Sequence, residues 1–184
     1  MIRIAIVEDE QNYIDKLSEY LDRYKKEYGE QLSVTVFRDG DEISSGYKAQ
    51  FDIILMDIEM KFVNGMSAAE EIRKVDSEVT IIFITNTPQY AVRGYEVGAL
   101  DYILKPVPYF TFSQKLNRAV QKIKKRSKRW ITIPVKGGVM RMELSDIYYI
   151  ESEGHNLIYH TESGTITSSG TMKSAESALD SMNF

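Results

Sequence analysis

The chain has 184 residues, 43% of them hydrophobic, with a net charge of −4 and no cysteine. That is room for one domain of ordinary size and a smaller second one. The composition excludes disulfides and thiolate metal sites, and no stretch approaches the ~20 consecutive apolar residues of a membrane span.

The amino terminus runs directly into a strand, Ile2 to Val7, leaving no room for a signal peptide. A cytoplasmic protein without membrane contact is expected. Charge is unevenly spread: residues 1–110 hold 12 Lys and Arg against 20 Asp and Glu, whereas residues 111–184 hold 11 against 7. An acidic front and a basic back read as two modules with different partners, the second one meeting something anionic.

Strand one ends at Val7 and is followed by Glu8-Asp9-Glu10. Tyr13, Ile14, Leu17, Tyr20, Leu21, Tyr24 and Tyr28 then recur at helical spacing up to Gly29. Ser33 to Phe37 reads as a second strand, and Asp39-Gly40 leads into a short helical piece around Ile43. Ile53 to Met56 is an apolar run too short for a helix, so it is a strand buried on both faces, with Asp57 at its carboxyl end. Asn64-Gly65 is a turn signal before a helix from Met66 to Val75. Thr80 to Thr85 is a fourth buried strand, and Pro88 opens a helix running to Gly98. Tyr102 to Leu104 is a fifth strand ending at Lys105-Pro106, and a longer helix carries Phe112, Leu116, Ala119, Val120 and Ile123.

Five β–α units in alternation predict a doubly wound, flavodoxin-like α/β fold with a five-stranded parallel sheet. Ligands of such sheets bind beyond the carboxyl ends of the strands. Four of those ends carry chemistry: Glu8 and Asp9, Asp57, Thr85, and Lys105. Each alone has a plain structural use, since an acidic pair caps a helix and a Lys-Pro makes a turn. Together they read as a phosphoryl-transfer site. Three carboxylates at one point call for a cation, and an all-oxygen ligand set suits Mg²⁺. Asp57 is then a nucleophile able to form an aspartyl phosphate. Lys105 and Thr85 supply the ammonium and hydroxyl that would stabilise the phosphoryl oxygens.

The pieces Val7-Glu8-Asp9-Glu10, Leu55-Met56-Asp57-Ile58, Phe83-Ile84-Thr85 and Asp101-Tyr102-Ile103-Leu104-Lys105-Pro106 resemble the receiver domain of bacterial two-component response regulators. The resemblance covers residues 1–126. It implies that Asp57 takes a phosphoryl group from a phosphohistidine on a sensor histidine kinase. It implies that Asp9, Asp57 and the backbone carbonyl of Glu59 ligate Mg²⁺, with Glu8 helping through water. It also implies a switch in which Thr85 moves toward the phosphoryl group, Tyr102 turns inward, and homodimerisation follows. The Lys105-Pro106 bond is usually cis in the family. Turnover is expected to stop at self-phosphorylation and slow self-hydrolysis, so the chain is not expected to be an enzyme.

Lys122 to Trp130 is a basic stretch that marks a boundary, either a phosphate-contacting arm or a solvated helix end. Beyond it the period changes to two. Trp130–Val135 and Val139–Leu144 read as a hairpin around Gly137-Gly138, followed by short strands Ile147–Ile150, Leu157–Tyr159 and Ile166–Ser168. Met172 to Met182 reads as a helix with Ala175, Ala178 and Leu179 inward. Residues 127–184 thus form a smaller, mostly-β module. Leu144-Ser145-Asp146-Ile147-Tyr148-Tyr149-Ile150-Glu151, His155-Asn156 and the closing Met182-Asn183-Phe184 resemble the amino-terminal half of a LytTR DNA-binding domain, the output of the LytR/AlgR regulators. His155 falls at a position that contacts DNA in that family, and Asn156 beside it can pair with a base edge. Family members continue past the position of Phe184, so the domain is expected to be incomplete, with an unpaired strand edge.

Two functions follow from the pattern. One is a phosphorylation-controlled transcription regulator that dimerises on DNA. The alternative is a receiver-based protein–protein signalling module whose incomplete output does not bind DNA.

Overall fold

A computed structural model describes residues 1–127 and 130–180, and the chain divides into two units, Met1–Ile123 and Lys124–Phe184. In the first unit, strands and helices alternate: β1 (Ile2–Val7), α1 (Gln11–Tyr28), β2 (Leu32–Phe37), α2 (Gly40–Ser44), β3 (Ile53–Met56), α3 (Gly65–Val75), β4 (Thr80–Thr85), α4 (Ala91–Glu96), β5 (Asp101–Leu104) and α5 (Tyr109–Ser127). The strands form one parallel sheet in the order β2-β1-β3-β4-β5. This is the doubly wound, flavodoxin-like arrangement that the alternation predicted.

Successive side chains of a strand point to opposite faces, and the two faces of this sheet bury two separate cores. Ile4, Ile6, Ile53, Leu55, Ile82 and Ile84 face one side, against Leu17, Leu21 and Tyr24 of α1 and Phe112, Leu116 and Val120 of α5. Ala5, Val7, Ile54, Met56, Ile81 and Phe83 face the other, against Ile43 of α2 and Met66, Ala68, Ala69 and Ile72 of α3. Because β3 and β4 are central, every one of their residues is buried. Covering both faces leaves the loops at the strand ends as the places where polar side chains can gather.

One local expectation in this unit shifts. The stretch opened by Pro88 is not one helix: Pro88–Tyr90 is a 3₁₀ turn, and α4 follows only from Ala91 to Glu96. Gly98, at φ +61°, then turns the chain away, a conformation glycine adopts at little cost. The Lys105–Pro106 bond is cis, as the receiver resemblance implied.

The second unit has β6 (Trp130–Val135) paired with β7 (Gly138–Glu143), a 3₁₀ turn at Leu144–Asp146, and an antiparallel sheet of β8 (Ile147–Glu153), β9 (Asn156–Thr161) and β10 (Gly164–Ser169) in the order β10-β9-β8. The hairpin turns one residue earlier than the glycine pair suggested, at Lys136-Gly137, with Gly137 at φ +97° and Gly138 already in β7. Helix α6 (Met172–Asp180) closes the described chain. Ile131, Ile133, Leu144, Leu157, Tyr159 and Ala175 make its core, with Leu179 partly buried against it. The ends of two expected features, Lys128-Arg129 of the basic stretch and Met182-Asn183-Phe184 of the last helix, lie outside the described residues, as does the Ala178 side chain.

Candidate phosphoacceptor site

The parallel register places Val7, Met56, Phe83 and Tyr102 in one row across β1, β3, β4 and β5. One step further along the chain stand Glu8 and Asp57, and just beyond β5 stands Lys105. Backbone bonds carry the order past the strand ends: Asp57 N–H donates to the Val7 carbonyl at 2.8 Å, and Lys105 N–H to the Thr85 carbonyl at 2.9 Å.

The side chains of Glu8, Asp57 and Lys105 meet there. Lys105 Nζ donates to Asp57 Oδ2 at 2.6 Å and lies 2.8 Å from Glu8 Oε2. All three are buried. The Glu8–Lys105 approach is an ion pair whose angles do not make a hydrogen bond, so Glu8 Oε2 is a buried oxygen without a hydrogen-bond partner. Burial pushes the Glu8 carboxyl up to about 7, with the adjacent Lys105 ammonium opposing and the Asp57 charge adding. Burial alone would lower the Lys105 ammonium, but its bond to Asp57 and its ion pair with Glu8 outweigh that and hold it above the ordinary range.

Asp57 is fixed from below. Its Oδ1 accepts the Ile58 N–H at 2.6 Å and the Glu59 N–H at 3.3 Å. Such oriented amides keep the carboxylate in one pose. The loop after β3 approaches closely: Gly65 N–H donates to the Ile58 carbonyl at 3.0 Å. A Cβ at Gly65 would sit 1.9 Å from the Asp57 carbonyl oxygen, so only glycine fits.

The remaining candidates take other places. Asp9 is half-buried and lines a cleft of about 320 Å³ with Arg38, Asp39, Asp41, Glu42, Lys61 and Phe62. The Glu59 side chain is exposed. Among the described residues, no three acidic or histidine side chains gather as a ready ligand set. The cation between Glu8 and Asp57 is Lys105 itself. Thr85 is fully buried, and its hydroxyl accepts the Thr87 N–H at 3.4 Å. Tyr102 is half-buried beside Phe83, and its hydroxyl donates to the Thr87 carbonyl. Burial raises the Tyr102 phenol, and the charges of Asp57 and Glu59 add to the shift.

Two contributors were not recognised in the sequence. In the sequence Asp39 only leads into a short helical piece; in the structure its side chain caps that helix, accepting the Asp41 N–H at 3.4 Å. It also accepts Phe62 N–H at 2.9 Å and Val63 N–H at 2.8 Å, which ties down the loop that follows Glu59. Tyr13 reads as one member of an apolar helical stripe, yet Lys105 Nζ lies 4.0 Å from its ring centroid. No local pattern announces either contact, because each joins segments far apart in sequence.

In the second unit, His155 is exposed in the turn between β8 and β9, and its carbonyl accepts the Gly170 N–H at 3.0 Å. Asn156 opens β9, opposite Glu153 and Ser169, and is exposed too. The chain's other histidine, His160, stacks on Tyr149 at 4.1 Å between centroids and meets Glu151 Oε1 at 2.8 Å. Among the described residues, no helix is long and apolar enough to cross a membrane.

Comparison with known proteins agrees with both units. The response regulator receiver domain family matches residues 4–117, and the LytTr DNA-binding domain family matches residues 137–184. An uncharacterized response regulatory protein of Yersinia pestis is 28% identical over 159 residues, spanning 86% of this chain and 61% of its own length. The sensory transduction protein LytT of Bacillus cereus is 25% identical over 204 residues, spanning all of this chain and 79% of its own. The response regulator protein TrrA of Thermotoga maritima, solved in complex with Mg(2+)-BeF, is 26% identical. It superposes with a TM-score of 0.55 over 65% of this chain and 99% of its own. The buried acid–lysine cluster at the strand ends and the β-rich unit behind it therefore have one common context: the chain belongs to the response regulator receiver family and joins its receiver to a LytTR-type output, as two-component transcriptional regulators do.

Proposed function

We propose that this protein accepts a phosphoryl group on Asp57 from a sensor histidine kinase and uses it to control DNA binding by its second unit. The observation that carries the reading is the buried contact of Lys105 Nζ with Asp57 Oδ2 at 2.6 Å, beside Glu8. A carboxylate oxygen of Asp57 attacks phosphorus; the nitrogen–phosphorus bond of the phosphohistidine breaks, and its electron pair returns to the imidazole. Lys105 follows the developing charge on the phosphoryl oxygens, and Thr85 offers its hydroxyl to the same group. Hydrolysis by water returns the carboxylate and inorganic phosphate, so the chain turns over only itself.

The donor set fits Mg²⁺, which takes few protein carboxylates and keeps several waters. Asp9, Asp57 and the Glu59 carbonyl would hold it, with Glu8, whose Oε2 lacks a hydrogen bond, helping through water. When bound, the ion supplies charge neutralisation at the transferring phosphoryl group. The Thermotoga relative solved with Mg(2+)-BeF supports this assignment.

On the output side, His155 and Asn156 stand exposed at one turn, where they can reach a base edge. Thr85 and Tyr102, joined through the Thr87 backbone, are the candidate link between phosphorylation and a surface that pairs two copies.

The test is to treat the chain with a small phosphoryl donor and Mg²⁺, then follow intact mass and salt-titrated binding to a specific DNA duplex. One phosphoryl group is expected, absent in Asp57→Asn, with tighter DNA binding when it is present. A phosphorylated Asp57→Asn variant would overturn the site. Phosphorylation with no effect on DNA binding would overturn the transcriptional role.

A further inference from the structure

A lysine ammonium has three N–H donors. On Lys105, two directions are taken by carboxylates: Asp57 Oδ2 at 2.6 Å and Glu8 Oε2 at 2.8 Å. The Tyr13 ring supplies a third neighbour, with its centroid 4.0 Å from Nζ. The Lys105 side chain has 0% exposure, although it lies at the sheet end where a reactant must arrive. Tyr13 belongs to the first turn of α1, the helix that follows Glu8 and Asp9 in the chain. The same ring has a second cation near it, Lys16 Nζ at 5.7 Å.

We propose that Tyr13 is a positioning residue for phosphoryl transfer: its ring closes the third side of the Lys105 ammonium, keeping that group dry and aimed at Asp57. The proposal rests on the reading of Asp57 as the phosphoacceptor. The negative face of an aromatic ring attracts a cation within about 6 Å, and more strongly where water is excluded. A dry ammonium also acts more strongly on nearby oxygens, because the local dielectric is low. An aliphatic side chain of similar bulk would fill the same space but would not hold the charge. Water would then solvate the open N–H next to the acyl phosphate.

The full chain is compared with Tyr13→Phe and Tyr13→Leu. Phenylalanine keeps the ring face, and leucine keeps only apolar bulk. Two readings are taken: exchange of the Lys105 ammonium protons with water by NMR, and the rate of Asp57 phosphorylation by acetyl phosphate with Mg²⁺. Tyr13→Phe should stay within about twofold of the parent in both, whereas Tyr13→Leu should exchange faster and phosphorylate more slowly, each on the order of tenfold. A purely structural role predicts no change in exchange when leucine preserves the fold, and that result overturns the proposal. A loss in Tyr13→Phe equal to that in Tyr13→Leu also overturns it, since the hydroxyl and not the ring would be at work. If the parent chain itself takes no phosphoryl group, the phosphoacceptor reading falls and this one with it. If the parent is phosphorylated and Tyr13→Leu matches it, only the role of Tyr13 falls.

Discussion

Lys105 Nζ reaches Asp57 Oδ2 at 2.6 Å across 48 residues of sequence, with the two side chains 0% and 2% exposed. Removing the ammonium leaves Asp57 and Glu8 as buried carboxylates with no cation between them. Lys105→Met is expected to destabilise the fold by about 3–5 kcal/mol. Urea unfolding should show a larger loss at pH 8 than at pH 5, where protonation relieves the repulsion. Equal losses at both would mean the pair is not electrostatically linked.

Glu8 makes the opposite contribution to pH dependence from that of an ordinary ion-paired acid. Its carboxyl is raised from 4.5 to about 7 by burial, the Asp57 charge adding. A carboxyl raised in the folded state binds its proton more tightly folded than unfolded. Its share of stability is therefore full below pH 4.5 and lost as pH rises through about 7. Glu8→Gln should abolish this share, so in chelator-treated samples the melting temperature of the parent should fall relative to the variant between pH 5 and 8. A gap that does not change with pH would refute the raised carboxyl.

At Gly65 the constraint is steric, because any Cβ would lie 1.9 Å from the Asp57 carbonyl oxygen and 2.9 Å from Met56 Cγ. Gly65→Ala should force the loop off Asp57, with a cost of about 3 kcal/mol or more and slower phosphorylation. Thermal melting with phosphorylation kinetics checks both, and a neutral variant would show that the close approach is not maintained in solution.

Asp39 resists protonation although it is buried. Burial would raise it, but the N–H groups of Val63, Phe62, Asp41 and Gly40 together hold it below the usual carboxylate range. Its stabilisation is therefore present above the ordinary value of 3.8 and is lost as pH falls through the lower folded value. Asp39→Asn should cost about 1–3 kcal/mol near neutrality, and less in acid. The same variant should loosen Phe62 and Val63, visible as faster amide exchange at those two residues.

For the output unit, His155→Ala should weaken a specific duplex by about 5- to 100-fold, the worth of one base contact. Because His155 sits in an exposed turn, stability should move by no more than about 0.5 kcal/mol. Fluorescence anisotropy beside a melting curve separates the two effects, and unchanged affinity removes His155 from the interface.

The elements most legible in the sequence were those with the strongest local signal. The run Ile53 to Met56 can only be a strand buried on both faces, and glycines at 29 and 98 stop helices where left-handed backbone is needed. Pro88 was less informative, because proline suits the first turn of either a 3₁₀ or an α-helix, and packing decides between them. Asp39 was legible only as the lead into a short helix and silent about Phe62 and Val63, since that clamp joins segments distant in sequence.

By itself, the sequence determined the alternation of elements and the standing of Glu8, Asp57, Thr85 and Lys105 at the carboxyl ends of the strands. These follow from hydrophobic period and from residue types at strand ends, which depend only on neighbours along the chain. Tertiary structure alone decided which charges touch. It put Lys105 between Glu8 and Asp57, set Asp9 in a cleft, and laid the Tyr13 ring against the ammonium. Contact energies between groups fall steeply with distance, and distances across a sheet are fixed by strand order and register, which no local stretch of sequence encodes.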